Sequence, residues 1–408
     1  MQQQLSRSLR TLTTFTTNTN TERILNPIPA TYIRGGTSKG LFLQEKHLPS
    51  DRSQWDAIFL GIMGSPDSEY GRQLNGMGGG ISSLSKVCVI GAPTLEQKMR
   101  GIDVRYTFAQ IGIRDSKIDY SGNCGNLSSM VGVYAIDEGF CKPPSRAGLT
   151  TVRAFNTNTQ KVIHTTFPVS ESGAPSLDLP EATIAGVAGS ASKIILDFVD
   201  PSGARTGKLL PTGNPVDSLN VSVDNETKNL SFTASLVDAT NPTVFLNYDE
   251  FERYDFQLKD YIDGSQLSAA KVGDVLERLR QAGAKKMGLE PTAQAQPKIA
   301  LLQAPSSPSD ITNNVHIVVH ALSMGVLHKA VPMTVGLCLG VASKIEGTIP
   351  WSVVRRTVTG TSNDSEFVRL RHPSGVVDVG ARLDERGNVL SANVIRTGRK
   401  LMKGVVWW

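Results

Sequence analysis

The second half of this chain repeats the first, and that constrains its fold more than any local motif. Leu41-Phe42-Leu43 returns as Val244-Phe245-Leu246, 203 residues on, and the Thr37 loop before it as Asp238-Ala239-Thr240-Asn241-Pro242. The run from Lys86 to Pro93 returns as Lys298 to Pro305 at an offset of 212, and Val104 to Phe108 as Val315 to Val319 at 211. Asn126 to Gly139 returns as Thr334 to Gly347 at 208. Four weak matches in one order at nearly one spacing mark a duplication. The expected fold class is α+β, with two pseudo-symmetric halves of mostly antiparallel strands, each wrapped around one apolar helix. The expected divisions are a segment 1–26, a first domain 27–200 and a second domain 201–408, with the break at Asp200-Pro201-Ser202-Gly203. The polar stretch from Ser170 to Ser190 reads as an inter-strand loop. Val405-Val406-Trp407-Trp408 reads as a packed final strand crossing to the first half, because so apolar an end is costly to expose. The two helix starts then converge on a cleft, where ligands usually sit.

The first of those helix starts carries a thiol. Tyr120-Ser121-Gly122-Asn123-Cys124-Gly125-Asn126 is a Gly/Asn turn leading into a run that is apolar on nearly every side and stops at Gly139. Free N–H groups at a helix start bind anions and stabilise a thiolate, which makes Cys124 a candidate active-site group. The same pattern also fits a buried cysteine beside a tight turn.

Composition narrows the rest. The chain has 408 residues, 39% hydrophobic and 19% charged, and no apolar stretch long enough to cross a bilayer, so no membrane partner is expected. The formal charge of +5 comes from scattered Lys and Arg with no aromatic-interleaved basic run, which argues against nucleic acid and suits a small polyanion. Cys88, Cys124, Cys141 and Cys338 are far apart with no metal-ligand spacing, so free thiols in a reducing compartment and no metal are expected. His316 and His320 share a strand face, but nothing completes a zinc site. Before Pro27 lie Arg7, Arg10, Arg23, seven threonines and no acid ahead of Glu22, the makeup of a mitochondrial leader, with a disordered tail of a cytoplasmic protein as the alternative. The sequence allows a homo-oligomer without demanding one.

Several polar loops offer ligand groups. Arg34-Gly35-Gly36-Thr37-Ser38-Lys39-Gly40 brings two cations, two hydroxyls and glycine-freed N–H groups, suited to carboxylate or phosphate; it lacks the order of a Walker A loop. Gly76 to Gly80 likewise lacks the dinucleotide pattern, so no nucleotide cofactor is implied. Lys86 follows Gly79, Gly80 and Ser83 at the head of an apolar strand, placed as either a catalytic base or a solvated strand-edge lysine. Ser323-Met324-Gly325-Val326-Leu327-His328 precedes the second helix at Thr334 and would line the opposite wall, although His328 also reads as a loop histidine satisfied by backbone. Thr206 to Asn214, with Lys208, is a third polar loop near the junction. A serine hydrolase is disfavoured because no GxSxG elbow occurs.

Taken together, these segments resemble the PrpF family, the 2-methylaconitate cis-trans isomerase group that includes methylitaconate, aconitate and 4-oxalomesaconate isomerases. The resemblance rests on Arg34 to Gly40, Gly78-Gly79-Gly80 through Lys86, Gly122 to Asn126, Thr206 to Asn214, Ser323 to His328, His372-Pro373-Ser374-Gly375 and Arg396 to Met402. It implies a diaminopimelate-epimerase-like fold and cofactor-free proton transfer on an unsaturated di- or tricarboxylate, with Lys86 and Cys124 in the proton-transfer roles. Arg34, Ser38, Lys39, Gly79, Gly80, Ser83, Asn123, Gly125, Asn126, Lys208, Ser323, Met324, His328 and Thr334 are the expected substrate contacts. One departure stands out. The epimerases carry a cysteine in each half, whereas the second helix start here has Thr334, with Cys338 a turn further in. Aconitate or methylaconitate is the first expectation for substrate. An amino-acid racemase or epimerase and a non-catalytic tricarboxylate-binding accessory protein are the alternatives.

Overall fold

The computed structural model describes residues 25–142, 146–223, 228–254, 256–264, 266–357 and 366–408; the expected leader lies outside them apart from its last two residues. Among the described residues, eighteen strands join into one continuous sheet. Two helices, Val131–Asp137 and Met333–Ala342, lie inside it and are buried at almost every position. Enclosure on all sides explains why neither carries a polar stripe.

Both halves use the same pairing scheme. Ile28–Gly35 and Ser38–Gln44 form an antiparallel hairpin, Ser38–Gln44 runs parallel to Lys86–Gly91, and Lys86–Gly91 is antiparallel to Val104–Ile111. Val104–Ile111 is parallel to Gly148–Asn156, followed by antiparallel Lys161–Val169 and Ile194–Val199. Lys228–Ala239, Asn241–Asn247, Lys298–Gln303, Ile317–Ser323, Phe367–His372, Gly375–Leu383 and Val389–Arg396 repeat the alternation. The registers correspond as well: Leu41 pairs with Val87, and its repeat Val244 with Ile299.

One repeat alignment needs correction. Val104 corresponds to Ile317 and not to Val315, because Val104 pairs with Ala154 as Ile317 pairs with Leu370. The two-residue slip preserves the alternation of faces, so the hydrophobic pattern could not reveal it. Gly132 and its repeat Gly340 let sheet pack directly on the central helices. A Cβ there would lie 2.9 Å from Val152 Cβ or 2.8 Å from the Gly380 nitrogen.

The repeats are stitched together at two places. Ile194–Val199 pairs with Val389–Arg396, and the last strand, Gly398–Val406, returns to pair with the first, Ile28–Gly35. The largest buried cluster accordingly draws on both central helices. Two smaller cores lie on the outer faces, one under helix Trp55–Met63 and one under helix Gln266–Lys286. No described helix is long and apolar enough to cross a membrane.

Candidate active site

Alternation along Lys86–Gly91 sends Lys86, Cys88 and Ile90 toward the central helix, and Val87 and Val89 into the outer core. Lys86 is only 8% exposed, its ammonium donates to Gln110 Oε1, and it sits 5.3 Å from the Phe108 ring centre. Gln110 is held in turn, its amide donating to the Ser82 and Ser85 carbonyls at 3.2 and 3.0 Å. That leaves its oxygen directed at the lysine. Cys88 is sealed beneath. Burial pushes its thiol well up, Cys124 adds to the rise, and Lys86 opposes it. Lys86 and Cys124 therefore both lie within electrostatic reach of one buried sulfur.

Cys124 caps the short helix Gly125–Ser128, which breaks at Ser129 and Met130 and resumes as Val131–Asp137. It is a free, half-buried thiol donating to Ser38 Oγ at 3.8 Å. Its loop is pinned from below, where Asn123 Oδ1 accepts from Tyr106 OH and Ser128 Oγ, each at 3.1 Å. Asn126 ties the helix start to two neighbours. Its amide donates to Thr37 Oγ1 at 3.0 Å and Ser38 Oγ at 3.3 Å, and its oxygen accepts from Arg396 Nε at 3.0 Å. Arg396 is buried, and loss of solvent pulls it down to about 10 while Cys124 pulls it upward. It is a full cation at neutral pH beside the thiol. His372 follows: burial first, then Arg396 and His328, push it down to about 4 and keep it neutral.

The second half mirrors this construction with different chemistry. Thr240 Oγ1 donates to the Thr334 carbonyl at 2.9 Å and Asn241 Nδ2 to Thr334 Oγ1 at 3.5 Å, the repeat of the Thr37, Ser38 and Asn126 contacts. Lys298, the repeat of Lys86, donates to Ser323 Oγ at 2.9 Å, where Lys86 has Gln110. The position of Cys124 is taken by Pro332, which caps Met333–Ala342. Cys338 is fully buried, donates to the Val237 carbonyl at 3.5 Å, and is pushed up to about 12 by burial. It does not repeat the half-buried place of Cys124 at a helix start. The two helix starts do meet, since a Cβ on Gly125 would lie 2.1 Å from Met333 Sδ.

Of the residues expected from sequence, Lys86, Cys124, Ser38, Gly125 and Asn126 come together on this inner face. His328 is linked to them through His372 and Arg396, and its Nδ1 accepts from the Ala330 N–H at 3.0 Å. Asn123 and Thr334 are hydrogen-bonded anchors of the two helix starts. Arg34 and Lys39 do not join Cys124. They are cross-strand partners on the outer face of the hairpin, while Gly35 on the inner face packs on Asn126. Gly79 packs on Leu84, the Gly80 N–H is taken by Gln73 Oε1 at 3.0 Å, and Ser83 is half-exposed in a single 3-10 turn. Lys208 is exposed in a turn held by Asp238, and Met324 is 55% exposed at a left-handed turn position. Gln110, Arg396 and His372 are site residues that the sequence reading does not single out. Gln110 was readable as the polar end of an inward row formed by Val104, Tyr106 and Phe108, and the other two lie in segments that carry the resemblance. Among the described residues no three His, Cys, Asp or Glu side chains cluster as a metal site.

The chain is similar to known proteins over nearly its whole length. The model of the family described as PrpF protein matches residues 25–408. The 3-methylitaconate isomerase of Eubacterium barkeri is 36% identical over 394 residues, covering 93% of this chain and 97% of that protein. The 2-methyl-aconitate isomerase of Shewanella oneidensis is 33% identical over 403 residues, covering 93% and 96%. A crystal structure of methylitaconate-delta-isomerase superposes with a TM-score of 0.79 at 36% identity, covering 93% of this chain and 95% of that one. The α+β fold expected from the resemblance is the fold of this chain, shared with that isomerase. The mitochondrial reading of the N-terminal segment is overturned, because these relatives are bacterial enzymes and bacteria have no mitochondria.

Proposed function

This chain belongs to the PrpF protein family, and on that premise we propose that it is a cofactor-independent isomerase moving a proton on a branched, unsaturated di- or tricarboxylate of the methylitaconate or methylaconitate type. The observation that supports the reading is that buried Lys86 starts the strand whose next inward residue is Cys88, while Cys124, with its half-buried thiol, caps a helix start, both within electrostatic reach of Cys88. Lys86, in its neutral form, takes a proton from the carbon allylic to the double bond. The C–H bond breaks, an N–H bond forms, and the electron pair spreads over the alkene and the attached carboxylate. Charge developing on that carboxylate is met by the Arg396 guanidinium and the first-turn N–H groups after Cys124. In the double-bond shift the Cys124 S–H bond breaks and its proton goes to the far alkene carbon; the thiolate left behind then takes a proton from solvent as the Lys86 ammonium gives one up, which resets both groups. In the cis-trans conversion the Lys86 ammonium returns its own proton to the original carbon after rotation.

Proton NMR on the purified protein with 3-methylitaconate, 2-methylaconitate and cis-aconitate tests this reading. Isomerisation of at least one of the three is expected. Inertness toward all three, together with exchange of an amino-acid α-proton, would replace it with the racemase reading.

A further inference from the structure

The outer face of the first hairpin carries a charge arrangement that the catalytic reading does not use. Arg34 pairs directly across strands with Lys39 on one side and with Arg399 on the other, so three cations stand abreast on three neighbouring strands. Like charges placed directly opposite one another destabilise a sheet. Among the described residues none of the three has an acidic partner, whereas the adjacent Lys400 is paired with Asp137 at 2.9 Å. Arg34 is also preset. Its Nη1 is anchored to the Gly36 carbonyl at 2.9 Å and to the Thr397 carbonyl and hydroxyl at 3.2 and 3.1 Å. Burial and Arg399 both push its guanidinium below the usual arginine range, so the pair feel one another.

These cations line a cavity of about 790 Å³ that is also lined by the turn residue Gly186 and the strand Val187–Ala191, with Gly186 and Gly189 in left-handed conformations. Asp178 is the acidic side chain on its wall. Arg34, Lys39 and Arg399 stand on the outward face of their strands while Gly35 and Ser38 face inward toward the Cys124 helix start, and Gly36, Thr37 and Gly398 at the hairpin tip also line the cavity. We propose that this groove is a second binding site, separate from the catalytic one, for a small oxyanion carrying phosphate or carboxylate groups. The fork of Arg34 and the ammonium of Lys39 match such a group in geometry and charge. The anion would relieve the repulsion that the three strands otherwise carry.

Isothermal titration at low ionic strength with inorganic phosphate and, separately, citrate tests the proposal in wild type, Arg399→Glu and Lys86→Ala. Binding of at least one anion is expected in wild type, weakened at least tenfold by Arg399→Glu and retained in Lys86→Ala. Phosphate alone or citrate alone would fix which oxyanion the site takes. Arg399→Glu should keep isomerase turnover within twofold of wild type, which separates this site from the catalytic one. Should Arg399→Glu lower the melting temperature, Arg399→Gln carries the same comparison. The proposal is overturned if neither anion binds wild type, if binding survives both Arg399 variants, or if a folded Arg399 variant loses turnover.

Discussion

Gly125 and Met333 are repeat-related residues that meet at the centre of the molecule, so closely that a Cβ added to the glycine would stand 2.1 Å from the methionine sulfur. Each is the first residue of its helix, so the contact fixes where the two helix starts stand relative to each other. Gly125→Ala should overpack this point, costing about 1–3 kcal/mol, and shift Cys124 enough to lower kcat/KM by about 100-fold. Met333→Ala in the same chain should restore most of both. A double-mutant cycle on melting and turnover checks this, and additive effects would show that the contact does not position the thiol.

Four free cysteines should react very differently. Cys88 and Cys338 are buried, and burial with Asp103 pushes the Cys141 thiol up to about 12, so it stays protonated at neutral pH. Brief treatment with iodoacetamide should label Cys124 alone and abolish turnover. Peptide mass spectrometry reads the label; fast labelling at Cys141 with activity kept would remove Cys124 from the mechanism.

Acid should destabilise the fold in a defined window. Burial holds His372 and His320 down to about 4, below the ordinary 6.5. Between those values the unfolded chain binds more protons than the folded one, so stability is full above about 6.5 and falls as pH drops toward about 4. A shift of that size is worth on the order of 3 kcal/mol. Urea unfolding across pH 4 to 7 should show the slope, and His372→Gln should flatten it.

Asp238 organises the turn that carries Lys208. One carboxylate oxygen accepts from the Arg205 and Thr206 N–H groups at 2.8 and 2.7 Å and from the Thr206 hydroxyl at 2.9 Å, and the residue is fully buried. Asp238→Ala should cost about 3 kcal/mol by stranding those donors. A change in denaturation midpoint well below that would mean the turn re-forms its bonds with water.

The duplication made the architecture legible because a repeat reveals itself through order and spacing, and the registers of Leu41 with Val87 and Val244 with Ile299 bear it out. It could not fix the third element, where a two-residue slip leaves the inward row apolar. Lys86 and Cys124 were legible because each sits where a polar loop meets a buried element. Arg34 and Lys39 read as substrate contacts because they share one polar loop with Ser38, but strand alternation at the hairpin tip turns them to the other face from Ser38. Gln110 and Arg396 reach the site only through tertiary pairing, which no local pattern records.

The most direct test is proton exchange. Incubated in D2O with 3-methylitaconate or 2-methylaconitate and followed by proton NMR, the wild-type protein should introduce deuterium at the allylic carbon as the isomer forms. Lys86→Ala should lower both by about 10²- to 10⁴-fold while keeping its fold. Isomerisation at near-wild-type rate in Lys86→Ala would contradict the account, because the proton would then be moved by another group.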